Sequence, residues 1–276
     1  MLSDVKGQPR AVEALSAALA RKQLHHAWLF QGPEGVGKEL AAVGVAQALV
    51  CTEKPFEGCG TCAACVRVGK RSHPDVTWLM PEVEQIERGF AGRSDFTNTP
   101  SRDIRIEQIR KLQERLAFRA LEAPYKVALL VTAHAMNPSA QNALLKTLEE
   151  PPKDTVLILI SSAPDKLLPT IRSRCSKATF GPLPVDLIAA EVKARAKKGV
   201  DDALAAQIAA MASGSLSRAL QFNPASLEKR RELIEAFEKL RSNDASAWLA
   251  LAETWADDRE TAEAALELLK VWFHDI

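Results

Sequence analysis

Aromatic residues are scarce in this chain: there are nine Phe and five Trp but a single Tyr. That leaves little material for a base-stacking platform of the kind single-stranded nucleic acid requires. Excess charge is also missing. Thirty-six Lys and Arg stand against 35 Asp and Glu, a net charge of +1, so nothing marks the whole chain as a polyanion binder, although a local basic patch stays open. Long hydrophobic runs are absent too. The longest, such as Val127 to Val131, are strand-sized, well short of the roughly 18 residues of a membrane span, and Met1 to Arg10 has no apolar leader core. These absences lead us to expect a soluble, cytoplasmic protein with no membrane partner. Apolar residues at 47% and charged residues at 26% are globular values, and 276 residues suffice for two or three domains.

Cysteine is sparse but concentrated. Four of the five fall at positions 51, 59, 62 and 65, spaced C-x7-C-x2-C-x2-C. In a cytosolic chain such clustering favours a metal over disulfides. Four thiolates suit a closed, structural zinc site. An iron–sulfur cluster is the chemical alternative, and free buried thiols are the plain one.

Hydrophobic patterning alternates strand and helix as far as Phe180. Ala27–Phe30, Lys126–Val131 and Thr155–Ile160 are continuous apolar runs, as in strands covered on both faces. Asp75–Leu79 and Ala178–Phe180 are weaker candidates. Helices are expected over Pro9–Arg21, Lys38–Val50, from Ile106 to Leu116, and from Asn137 to Glu150, where Pro151-Pro152 stops the last. Glu82 to Arg102 lacks periodicity and reads as a mobile loop. The fold class is therefore α/β, a parallel sheet flanked by helices. After Pro184 only helical segments follow: Leu187–Lys198, Asp201–Ala212, Ser215–Phe222, and a further helical stretch from Ala225. The last helix runs to Ile276 without a glycine or proline stop, which suggests a larger helical domain cut short.

Gly32-Pro33-Glu34-Gly35-Val36-Gly37-Lys38 fits the phosphate-loop spacing G-x-x-x-x-G-K between a strand and a helix. Glycines there let backbone N–H groups curl round a phosphate at a helix N-terminus, and Lys38 would reach the outer phosphates. The next position should offer a magnesium-binding hydroxyl, but here it is Glu39. Phosphate-loop ATPases also place an acidic residue at the end of a buried strand. Val131-Thr132-Ala133-His134 has none. Two separate defects predict a loop that keeps its shape and has lost hydrolysis, with nucleotide binding left open.

The loop, the cysteine cluster, His73-Pro74-Asp75, the run Asn142-Ala143-Leu144-Leu145-Lys146-Thr147-Leu148-Glu149-Glu150-Pro151-Pro152 and Ile171-Arg172-Ser173-Arg174-Cys175 together resemble the bacterial clamp-loader subunits of DNA polymerase III, members of the AAA+ superfamily. The resemblance covers Met1 to about Phe222. Glu39 and the missing acidic pair favour the delta-prime type over the ATP-hydrolysing gamma/tau type. It implies an AAA+ core over 1–180 with a zinc module at 51–65, a helical lid over 181–224, and an incomplete helical collar for oligomerisation over 225–276. In that family the Ser-Arg-Cys arginine acts in trans on a neighbouring subunit's ATP, and Arg174 matches it. Arg218 matches a lid arginine that senses phosphate, with a packing or salt-bridge role as the alternative. The implied partners are gamma/tau and delta subunits, the sliding clamp and primer-template DNA. An active motor ATPase and a zinc-bearing nucleic-acid module are the competing functions.

Overall fold

The computed structural model describes residues 1–22, 24–195 and 200–222, with residues 235, 246, 248, 249, 252, 253, 262 and 266 beyond them. The chain divides into two compact units, Met1–Leu183 and Pro184–Ile276. The first contains α1 (Pro9–Ala20), β1 (Ala27–Gln31), α2 (Lys38–Val50), α3 (Ala63–Gly69), β2 (Val76–Leu79), α4 (Glu82–Glu87), α5 (Ile106–Ala117), β3 (Lys126–Leu130), α6 (Pro138–Glu149), β4 (Thr155–Ser161), α7 (Pro169–Ser173) and β5 (Ser176–Thr179). The second contains α8 (Val185–Arg195), α9 (Asp202–Met211) and α10 (Leu216–Gln221). The collar expected over 225–276 lies almost wholly outside the described residues.

All five strands are parallel, in the order β2-β3-β4-β1-β5. The central strands explain their own composition. Every residue of β3 and β4 is buried, because helices cover both faces and no polar alternation is tolerated. Leu29 pairs with Leu159 and Leu130 with Leu159 from the other side, so the middle of the sheet is a continuous aliphatic layer. One face packs on α5 and α6 through Ile109, Leu112, Leu116, Leu144 and Leu148. From β1 the chain leaves for β2 across β4 and β3, and from β4 it returns past β1 to β5. That reversal makes the crevice at the carboxyl ends of β1 and β4 the expected ligand position.

Local signals set the helix ends. Asn137 caps α6 through Oδ1, which accepts the Ala140 N–H at 2.8 Å, with Pro138 in the first turn. Gly44 lies mid-helix in α2 because the N-terminal segment crosses there: a Cβ would stand 2.7 Å from the Leu2 nitrogen. Asp75 orders the approach to β3. Its carboxylate accepts three backbone N–H groups, from Leu121 at 2.6 Å and from Glu122 and Ala123 at 2.9 Å each.

The segment Glu82–Arg102 corrects the expectation of a mobile loop. It carries α4 and a short 3-10 turn at Arg93–Asp95. Its order comes from long-range partners rather than periodicity. The Ser101 N–H donates to Glu82 Oε2 at 2.9 Å, the Val83 N–H donates to the Ser101 carbonyl, and Arg88 is drawn to Glu84 and Glu39. The last strand is Ser176–Thr179, slightly upstream of the weaker candidate.

Candidate functional site

The glycine-rich turn leaves β1 and enters α2, as its spacing predicts. Gly32, Gly35 and Gly37 all have positive φ, 143°, 72° and 101°, conformations glycine adopts without a Cβ penalty. Gly32 has a second reason: a Cβ there would lie 2.1 Å from the Phe180 carbonyl oxygen. Lys38 is 6% exposed and folded back on the loop, its ammonium donating to the Gly32 carbonyl at 2.6 Å and to the Pro33 carbonyl. Burial, only partly offset by Glu34, lowers its pKa to about 8. The loop thus satisfies its own lysine.

Gln8 is a loop residue that sequence reading missed. Its Nε2 donates to the Gly181 carbonyl at 2.6 Å and to the Val36 carbonyl at 3.3 Å, and its Oε1 accepts the Gly181 N–H at 3.0 Å. It ties the loop to the segment after β5, across 173 positions of sequence. No local pattern signals such a contact.

Glu39 does not face an open metal position. Arg71 pairs with one carboxylate oxygen and Arg88 with the other, the latter at 2.8 Å. Arg88 also reaches Glu84 at 2.5 Å, and the Thr132 hydroxyl donates to Glu84 at 2.8 Å. Sequence order shows no carboxylate at the end of β3. The fold brings one there from α4. His134, next along, is held below its usual pKa by burial and then by Lys166, and its Nδ1 lies 3.3 Å from the Ser161 hydroxyl. Its neighbours are structural.

At the other end of α2 the four cysteines converge. All four sulfurs lie within 4.8 Å of one another, with Cys51–Cys59 at 3.6 Å, Cys51–Cys62 at 3.8 Å and Cys59–Cys65 at 4.0 Å. A tetrahedron with metal–sulfur bonds of about 2.3 Å has sulfur–sulfur edges of about 3.8 Å, so the cluster fits zinc. The Lys54 N–H points at Cys51 Sγ and the Cys62 N–H at Cys59 Sγ, each at 3.2 Å. Such donors suit thiolates. Burial pushes Cys65 up to about 12, whereas at Cys62 the backbone donors of Cys65 and Thr52 outweigh burial and bring it to about 6. Held as thiolates, four sulfurs at this spacing would need a compensating cation. His73 stays outside the cluster and accepts the Asp75 N–H through Nδ1 at 3.1 Å.

Arg174 belongs to neither group. It caps α7, donates to the Thr170 carbonyl at 3.1 Å and pairs with Glu149 at 2.7 Å, both on the surface. Arg172 pairs with Asp165 at 2.9 Å. Cys175 is buried, its thiol pushed up to about 12 by burial, and is inert. Arg218 lies on α10, in the second unit.

A parallel sheet in this order, with a phosphate-loop motif after β1 and a helical second unit, defines an AAA+-type fold. Residues 7–184 match the family model described as DNA polymerase III, delta subunit. The chain is 36% identical to DNA polymerase III subunit delta' of Pseudomonas aeruginosa, over 95% of this chain and 74% of that one. It is 30% identical to delta' of Bacillus subtilis, over 98% and 77%. The tau subunit of Bacillus subtilis is 36% identical over 64% of this chain and 28% of its own. Among solved structures, a gamma subunit-related protein from Thermotoga maritima superimposes with a TM-score of 0.45 at 17% identity, covering 94% of this chain and 90% of that one. The chain belongs to the DNA polymerase III delta-prime subunit family.

Proposed function

We propose that this chain is the non-catalytic delta-prime subunit of a replicative clamp loader and supplies Arg174 in trans to the ATP of a neighbouring gamma/tau subunit. The observation that carries this reading is the contrast between an engaged Glu39 in the loop and a partly exposed arginine. Glu39 is engaged by two guanidinium groups where a magnesium-binding hydroxyl would be needed, while Arg174 stands at the surface, paired among the described residues with Glu149 and a backbone carbonyl.

The chemistry of such an arginine needs no nucleotide in its own subunit. Placed against the transferring phosphoryl group of a neighbour, a guanidinium stabilises charge that develops in the transition state. Arg174 would exchange the Glu149 carboxylate for that phosphoryl group on assembly. Gly32, Gly35, Gly37 and Lys38 then serve as scaffold, and nucleotide binding to them is dispensable. Arg218 would pack or pair within the lid, over 181–224. A zinc ion held by Cys51, Cys59, Cys62 and Cys65 would supply structural closure and no reaction step. The collar over 225–276 would hold the chain beside gamma/tau and delta in the cytoplasm, and the assembled ring would carry the clamp to primer-template DNA.

The second reading, an active gamma/tau-type motor, draws on the similarity to tau, and one assay separates the two. ATP turnover is measured for a reconstituted clamp loader carrying wild type or Arg174→Ala, with the isolated chain as control. We expect a silent isolated chain and a loss of complex turnover of about tenfold or more, with assembly intact by gel filtration. Turnover by the isolated chain that survives the mutation would return the protein to the motor class.

A further inference from the structure

In a working phosphate loop a metal ion and nucleotide span the gap between the loop's helix and the neighbouring strand end. Here a series of side chains spans it. Arg71, just past α3, holds one oxygen of Glu39 on α2, and Arg88, just past α4, holds the other. Arg88 continues to Glu84 at 2.5 Å, and Glu84 accepts the Thr132 hydroxyl, two residues past β3, at 2.8 Å. Two cations and two anions make this series neutral, so each charge has its compensation within it.

Its members are oriented, not loose. The Arg71 guanidinium lies between the Trp78 ring, at 4.5 Å, and the Phe90 ring, at 4.2 Å, which fixes its plane. Phe90 is otherwise a large exposed hydrophobic, so this contact gives it a purpose. Thr132 adopts φ 55°, the left-handed region that a β-branched residue rarely occupies and that persists only where the surroundings dictate it.

We propose that the side-chain series Arg71–Glu39–Arg88–Glu84–Thr132 replaces the metal–nucleotide bridge and holds the phosphate loop and the end of β3 in one arrangement without nucleotide. Glu39 is then a positioning residue, the hub of the series, rather than a worn-out metal ligand. This inference rests on the reading that the chain works without turning over ATP. Its consequence reaches the surface arginine. The loop abuts Phe180, the residue after β5, at Gly32, and β5 begins two residues after Arg174, so a fixed loop would help fix the strand that follows the arginine.

Hydrogen exchange on the full, zinc-loaded chain tests it. Wild type is compared with Glu39→Ala and with Thr132→Val, each with and without millimolar MgATP. In Glu39→Ala, exchange should rise together in residues 32–40, 84–90 and 130–135, by about tenfold or more. Thr132→Val should loosen the same three segments by less, and MgATP should give wild type no added protection. A rise confined to 32–40, or MgATP protection of the wild-type loop, overturns the inference. Should Glu39→Ala exchange rapidly throughout because it fails to fold, Thr132→Val decides alone, with a joint rise supporting and a local rise opposing. ATP turnover by the isolated wild-type chain refutes the functional reading together with this one, whereas a local rise in a silent chain refutes only the series.

Discussion

The two ends of α2 both carry motifs that call for a cation, and the side chains around them answer differently. At the C-terminal end, Cys51 closes a set of four sulfurs with edges near those of a tetrahedral zinc site. The N-terminal end has the loop whose motif would meet magnesium and phosphate, and there Glu39 pairs with the guanidinium groups of Arg71 and Arg88. A metal retained for structure needs every ligand, because the loss of one opens the site. A metal retained for hydrolysis is dispensable once a neighbour does the hydrolysis, and covalently attached cations can then take over its structural share.

The largest expected effect therefore lies at the cysteine end. Stripping the metal with a chelator, or changing Cys59→Ser, should cost on the order of 5 kcal/mol, since binding free energy at such sites is folding free energy. One zinc per chain by elemental analysis, and a large fall in thermal midpoint on chelation, are the expected results. An unchanged midpoint would mean that the four sulfurs are ordinary buried thiols, and the contrast between the ends would vanish.

An intermediate effect is expected at the loop. Glu39→Thr restores the hydroxyl that the motif lacks. It should still yield no ATP hydrolysis, because β3 itself supplies no acidic residue and Glu84, which α4 brings to its end, stays paired with Arg88. Stability should fall by about 1–2 kcal/mol, between the values for exposed and buried ion pairs, since these side chains are only partly shielded from water. Chemical denaturation and a turnover assay check both parts. Recovered turnover would show that one residue separates the two ends.

How far the two ends could be read from sequence differs for a physical reason. Ligands spaced two residues apart, as at Cys59, Cys62 and Cys65, are brought together by the local turn, so spacing alone revealed the cluster. The glycines and Lys38 were legible on the same ground, and the buried strands on their unbroken apolar runs. Glu39 was legible only as a defect. Its partners lie 32 and 49 residues away, on segments that meet it through sheet order, and Glu84 reaches β3 across 48 positions. For the same reason the stretch after Glu82 read as a loop: what orders it is Ser101, Arg88 and Glu39, not its own periodicity. Gln8 was missed likewise. Sequence finds what a turn assembles and misses what topology assembles.

The smallest effect concerns Lys38, the one ionisable group of the loop that kept its motif identity. Its folded pKa, about 8, lies below the unfolded value of 10.5 because burial disfavours the ammonium. Between those values the unfolded chain binds more protons than the folded one, so stability rises with pH across that window and the penalty is complete below about 8. Lys38→Met removes the titrating group and should flatten this rise. The difference in unfolding free energy between wild type and variant should therefore shift in favour of wild type by about 0.5–1 kcal/mol from pH 8 to 10.5, since water still reaches part of the site. Urea unfolding at a series of pH values measures it directly. Parallel curves would mean that the Gly32 and Pro33 carbonyls fully compensate the buried ammonium. The buried lysine would then cost the fold nothing at its end of α2.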